Sequence, residues 1–197
     1  MATIEANEPR RKFLLTATTG LGGIGLAAVA VPFLKSMGPS EAARAAGAPV
    51  QMDIDRIAPG RLVTMEWRGK PIWILHRTDE MLASLGKHDD LLADPSSSQP
   101  QQPDYARNAA RSIKPEFLVL TGICTHLGCI PVFRPDAGAA DMGDDWPGGF
   151  YCPCHGSKFD LAGRVYKNVP APLNLEVPVH RYLADGSLFV GEDEKKG

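Results

Sequence analysis

The sequence predicts a mainly β protein: an N-terminal transmembrane helix, then an antiparallel β domain that holds a small metal-binding subdomain near residues 122–160. Three observations carry this reading. Phe13 to Leu34 runs for 22 residues without a charge and is closed by Lys35. From Val50 onward the chain breaks into short runs of β-branched and aromatic residues punctuated by glycine and proline. All four cysteines and two of the five histidines fall within the 32 residues 124–155, a concentration that chance explains poorly and a metal site explains well.

The uncharged run, built as a helix, spans about 33 Å, against roughly 30 Å for a bilayer core. Gly20, Gly22, Gly23 and Gly25 make it weakly apolar, with small residues that suit packing against neighbouring helices. Arg10, Arg11 and Lys12 precede it and mark the cytoplasmic side. Ala43-Arg44-Ala45 and Ala46-Gly47-Ala48 are small-residue sites at which such a segment is cleaved when it serves as a signal peptide. The expected organisation is therefore an N-terminal segment 1–12, an anchor 13–35, a flexible hinge 36–49 and a head domain 50–197. The hinge is Ala-rich and has no large apolar residue to hold it to a core.

Within the head, residues 50–54, 61–67 and 71–75 read as strands, with Arg68-Gly69-Lys70 as a hairpin turn. Residues 78–85 read as a short helix. Residues 87–111 are polar and loop-like, and 94–100 is a surface loop with no visible chemistry. Residues 116–121 form a buried strand running into the first Cys/His loop; 132–149 is a Gly/Asp-rich excursion, and Phe150-Tyr151 leads into the second. Residues 165–169, 175–179 and 188–190 complete the sheet, the last after a turn at Asp185-Gly186. With 44% hydrophobic and 22% charged residues the chain is not disordered, and a formal net charge of −2 argues against a nucleic-acid partner. His76, His88 and His180 lack ligand-like neighbours and read as strand or surface residues.

The metal chemistry lies in the spacing. Cys124 and His126 stand in a Cys-x-His pattern, Cys152 and His155 in a Cys-x-x-His pattern, and each half leaves one cysteine over, Cys129 and Cys154. Two thiolates and two imidazoles satisfy tetrahedral zinc. A zinc finger, however, keeps its cysteines in one half and its histidines in the other. Mixed halves suit a binuclear cluster in which one iron takes both thiolates and the other both imidazoles.

At these residues the chain resembles the Rieske [2Fe–2S] family, specifically the iron–sulfur subunits of bacterial cytochrome bc1 complexes. The resemblance implies one cluster, with Cys124 and Cys152 on the inner iron, His126 and His155 on the outer iron, and a Cys129–Cys154 disulfide. It also implies that Ser157 donates to a bridging sulfide, that Leu127 packs against a quinol pocket, and that Pro170, Ala171 and Pro172 cover the cluster. Two positions depart from the pattern: Phe159 replaces a tyrosine that donates to a ligand sulfur, and Val169 replaces a glycine. One donor fewer implies a lower potential.

A disulfide implies an oxidising compartment. Arg10 and Arg11 resemble a twin-arginine export motif, with Pro9 where Ser or Thr is usual. The family keeps this segment as a single-pass anchor in the bacterial inner membrane, head on the periplasmic side. By resemblance the protein is the electron-transfer subunit of a quinol–cytochrome c reductase, partnered by cytochrome b and cytochrome c1 in a dimeric complex. His155 would take a proton from quinol as the cluster takes an electron, contributing to proton translocation. The competing reading is the Rieske small subunit of a periplasmic molybdenum oxidase such as arsenite oxidase, against which the stretch 170–178 counts.

Overall fold

A computed structural model describes residues 7–193; residues 1–6 of the expected segment 1–12, and 194–197 at the end of the head, lie outside the described residues. The chain divides into two compact units, Met1–Ala45 and Ala46–Gly197.

In the first unit, helix α1 (Glu8–Ser36) starts ahead of the uncharged run, because Asn7 caps it by accepting from the Arg10 N–H (3.2 Å) and Pro9 sits in the first turn, where no N–H is needed. Its apolar side chains are exposed along its length, and with a mean hydropathy of 1.8 over an 18-residue window the helical stretch is long and apolar enough to cross a membrane. The Thr16 and Thr18 hydroxyls donate to the carbonyls of Lys12 and Leu14, so neither polar group is left unpaired on an apolar rod. Inside the stretch expected to be a flexible hinge, α2 (Glu41–Ala46) forms a short helix; Ser40 caps it through the Ala43 N–H (3.1 Å), and Glu41 pairs with Arg44.

The second unit contains, among the described residues, three antiparallel three-stranded sheets. The central one joins β2 (Leu62–Trp67), β3 (Lys70–His76) and β4 (Phe117–Thr121). Its hairpin turns on Arg68 and Gly69, both with positive φ (53° and 70°), and Lys70 already pairs with Trp67 as part of the strand. β3 is buried on both faces. Alternation sends Trp73 and Leu75 into the core that contains Cys124, Cys152 and Phe159, and Ile72 and Ile74 into a second core with Leu188 and Val190. That second core is closed by β1 (Val50–Met52), β9 (Leu188–Val190) and β8 (His180–Tyr182). The short helix, α3 (Asp79–Ser84), is capped by Thr78.

The third sheet, β5 (Val132–Arg134), β6 (Gly149–Cys152) and β7 (Ser157–Phe159), carries the second Cys/His loop between β6 and β7.

Two expectations are corrected. Residues 175–179 form no strand: Leu175 N–H goes to Gly163 O, Val177 N–H to Gln101 O, and Glu176 O accepts from Thr121, while Pro178 has no donor, so successive groups face different partners and no ladder can run. Residues 165–169 contribute isolated bridges, Val165 to Phe159 and Tyr166 to Leu92. The polar stretch 87–111 is loop-like as expected and largely exposed, but it is pinned to the domain by four buried residues, Leu92, Ser97, Ala106 and Arg111.

Candidate metal centre

Both Cys/His loops rise from one aromatic pair. Trp73 stacks on Phe150 (centroids 5.1 Å, 12°), and Phe150 lies two residues before Cys152. On the other side, Gly122 passes directly over the Trp73 indole, where a Cβ would sit 2.3 Å from the ring; only glycine lets the chain approach this closely just before Cys124. The loops then share one local design. Gly128 N–H bonds the Cys124 carbonyl (3.1 Å), and Gly156 N–H bonds the Cys152 carbonyl (2.9 Å), each glycine four residues past its cysteine and each at positive φ (84° and 77°). Cys124 N–H also bonds Cys129 O (2.7 Å), closing the first loop on itself.

Cys129 and Cys154 form a disulfide, with Cα atoms 6.7 Å apart, that joins the two loops. Cys124 and Cys152 are free thiols, each 2% exposed. The Sγ atoms of Cys129, Cys152 and Cys154 lie within 4.8 Å of one another, but the disulfide consumes two of them, so the sulfur donors left are Cys152 and Cys124. The His126 and His155 rings stand 4.7 Å apart and perpendicular, His126 partly exposed and His155 exposed. The donors are thus sorted, sulfur inward and imidazole outward.

This set fits a [2Fe–2S] group with mixed ligation. Burial pushes the Cys124 thiol pKa up, and the Cys152 sulfur adds to this, while the His126 backbone N–H and the Ser157 hydroxyl act against it by hydrogen bonding to the sulfur. A buried thiol that resists ionisation, yet is supplied with donors suited to a thiolate and faces a second buried thiol, is what a cation between the two would stabilise.

The segment 170–173 lies as a lid against both Cys/His loops. Ser157, fully buried, accepts from Ala171 N–H (3.0 Å), and Thr125 Oγ1 donates to Leu173 O (2.6 Å). Pro170 and Pro172 are exposed and Ala171 is buried. Phe159 is fully buried in β7. Leu127 is 72% exposed, and Ile130 at the end of the same loop and Val132 at the start of β5 are also exposed. Arg10 and Arg11 belong to α1 in the other unit, Arg11 paired with Glu8 at 3.5 Å.

Sequence reasoning missed a buried arginine group behind the site. Arg77 donates to Pro115 O, Leu161 O and Ser112 Oγ; Arg164 pairs with Asp160 (2.8 Å) and Asp89 (2.9 Å); Arg111 bonds four backbone carbonyls and the Gln102 side chain. Burial lowers Arg77 and Arg111 to about 10 each, with Asp160 opposing the shift, so both stay charged near neutrality. The one local signal was an arginine inside the otherwise apolar run Leu161-Ala162-Gly163-Arg164-Val165.

Comparison with known proteins places this geometry. Residues 101–180 match the family model of the Rieske [2Fe-2S] domain, and residues 1–40 match that of the ubiquinol-cytochrome c reductase Fe-S subunit TAT signal. The chain is 56% identical over 193 residues to the ubiquinol-cytochrome c reductase iron-sulfur subunit of Allochromatium vinosum, covering 98% of this chain and 93% of that one. It is 44% identical to the subunit of the same name from Blastochloris viridis, covering 94% of each. Among solved structures it resembles a chain of a hyperthermophilic respiratory Complex III, at 24% identity and a TM-score of 0.47 over 88% of this chain and 97% of that one.

Proposed function

The chain belongs to the family of ubiquinol–cytochrome c reductase iron–sulfur subunits, the Rieske [2Fe–2S] component of the cytochrome bc1 complex, and from that premise we propose that it carries single electrons from quinol at cytochrome b to cytochrome c1. Cys124 and Cys152 would hold one iron of the cluster and His126 and His155 the other. The observation that carries this reading is the sorting of donors: two buried sulfurs, and two imidazoles turned to the surface beside exposed Leu127. When bound, the cluster supplies one-electron chemistry at a potential raised by its two imidazole ligands.

The chain's own residues do the rest. His155, exposed at the tip, accepts a hydrogen bond from quinol at its free ring nitrogen and takes the proton that leaves with the electron. Leu127 presents an apolar contact to the quinol pocket of cytochrome b. Ser157 directs its hydroxyl at the Cys124 sulfur, Cys129–Cys154 keeps the two loops in register, and Pro170, Ala171 and Pro172 exclude water. α1 anchors the chain in the inner membrane, Arg10 and Arg11 directing its export, and residues 36–49 let the head move on the periplasmic side between cytochrome b and cytochrome c1. The end-to-end likeness to bc1 subunits favours this reading over the small subunit of a molybdenum oxidase.

The test is purification from membranes followed by a redox titration read by electron paramagnetic resonance. A rhombic Rieske-type signal in the reduced state, accompanied by b and c haems, is the expected result. Metal-loaded protein without that signal refutes the cluster assignment, and a signal that purifies away from both haems refutes the partners.

A further inference from the structure

The lid residues 170–173 cannot hold themselves in place. Pro170 and Pro172 have no N–H, so backbone donors come only from alternate residues and no ladder can form. Their position must be set by side chains, and at the far root of the lid two buried ones set it. Asn174 Oδ1 accepts from Val165 N–H (2.8 Å), and its Nδ2 donates to Asp94 O (3.2 Å). Arg111 Nη2 donates to Leu175 O (2.7 Å) and Gln102 Oε1 (3.1 Å), while Nη1 donates to Ala162 O (3.1 Å) and Gly163 O (3.2 Å). Residues 174–175 are thereby clamped between the loop that follows β7 and the segment 94–102.

That segment is itself prepared for the task. The Asp94 carboxylate accepts from Ser98 N–H (2.9 Å), Ser98 Oγ (2.8 Å) and Gln99 N–H (3.0 Å), which folds 94–99 into a tight loop and aims the Asp94 carbonyl at Asn174. Arg111 holds a left-handed φ of 50°, a conformation that an arginine keeps only where its contacts over-determine it.

We propose that Asn174 and Arg111 are positioning residues that latch the proline lid over the metal centre, so that the segment 94–102, which contributes no ligand, sets how closely water approaches the cluster. This deepens the cluster reading above and rests on it. Asp94→Ala is the informative variant, because among the described residues the Asp94 carboxylate hydrogen-bonds Ser98 and Gln99 and acts on Arg111 through charge, without touching Asn174. Asn174→Ala cuts the latch directly.

Both variants are compared with wild type as full-length protein in membranes, by hydrogen exchange of a peptide covering residues 170–175 and by electron–nuclear double resonance of the reduced cluster in deuterated water. The expected result in both is a wild-type amount of Rieske signal, new exchangeable deuteron couplings, and exchange across 171–175 faster by about tenfold, the equivalent of one lost buried hydrogen bond. If Asn174→Ala fails to fold, Asp94→Ala decides alone. Unchanged exchange and couplings in a cluster-bearing Asp94→Ala protein overturn the latch. Loss of the cluster from both variants also overturns it, since the residues would then be needed to fold the domain rather than to place the lid. A wild-type protein without the Rieske signal would instead bring down the reading beneath it.

Discussion

Replacing Ser157 by alanine separates two duties that one buried hydroxyl performs. Its Oγ accepts from Ala171 N–H at 3.0 Å, and it hydrogen-bonds the Cys124 sulfur. Ser157 is fully buried, so no solvent replaces either partner. The stranded Ala171 N–H costs about 1–3 kcal/mol of stability. The potential follows from the second bond. An electron added to the cluster makes its sulfurs more negative, so a donor stabilises the reduced form more than the oxidised form, and its removal lowers the midpoint. A hydrogen bond to a charged group is worth about 1.5–3 kcal/mol, and if roughly half of a bond near the top of that range is gained on reduction, the difference is near 1.4 kcal/mol, a factor of about ten. For a one-electron couple that factor is about 59 mV. The expected midpoint is therefore roughly 60 mV below wild type, read by redox titration with electron paramagnetic resonance, beside a thermal melt of the same preparation. A melt that falls while the midpoint stays within about 10 mV of wild type, well under that one-electron decade, refutes the reasoning: the hydroxyl would then serve the lid alone.

Phe159→Tyr tests the converse in the same redox titration: a hydroxyl that reaches a ligand sulfur raises the midpoint by about the same 60 mV, whereas an unchanged midpoint with a lower melting temperature means the hydroxyl is stranded in the core. Replacing Cys129 and Cys154 together by alanine opens a loop with a sequence separation of 25. The chain-entropy relation gives a loss of about 3.5 kcal/mol, visible as a lower melting temperature and faster bleaching of the cluster, and an unchanged melt would refute it. His180 makes the head acid-sensitive. Burial lowers its pKa below the ordinary 6.5, with the Pro178 carbonyl and Asp193 opposing; Nδ1 bonds Pro178 O (2.8 Å), and buried Nε2, beside Tyr105 and Tyr182, has no hydrogen-bond partner among the described residues. The neutral ring is the folded form, so its contribution is present above about pH 6.5 and is lost as pH falls through the lowered value. His180→Asn, which keeps a donor for Pro178, should flatten the melting temperature between pH 7 and 5, and a slope equal to wild type would refute this assignment.

What the sequence determined by itself is what short-range covalent geometry dictates. A metal loop draws its donors from a few neighbouring residues, so Cys124 with His126, and Cys152 with His155, are visible as spacing, and so are the glycines four residues after each cysteine that turn the loops. A bilayer demands an uninterrupted uncharged run, and a two-residue hairpin demands residues that accept positive φ, so α1 and the Arg68-Gly69 turn were equally legible. Only the tertiary structure decided the rest. Four cysteines allow three pairings, and the bond between Cys129 and Cys154 depends on two loops meeting in space. The same holds for the stretch 87–111, polar and without period, which is pinned to the domain because Arg111 meets Leu175 across 64 residues and Asp94 meets Asn174 across 80. Residues 175–179 have the composition of a strand but lend their backbone to four different partners, Gly163, Thr121, Gln101 and Gly191. Such contacts are properties of distant pairs. Neither member carries a local sign of the other, because the free energy of burying a guanidinium or an amide is settled by the carbonyls it finds, and the fold alone brings those carbonyls to it.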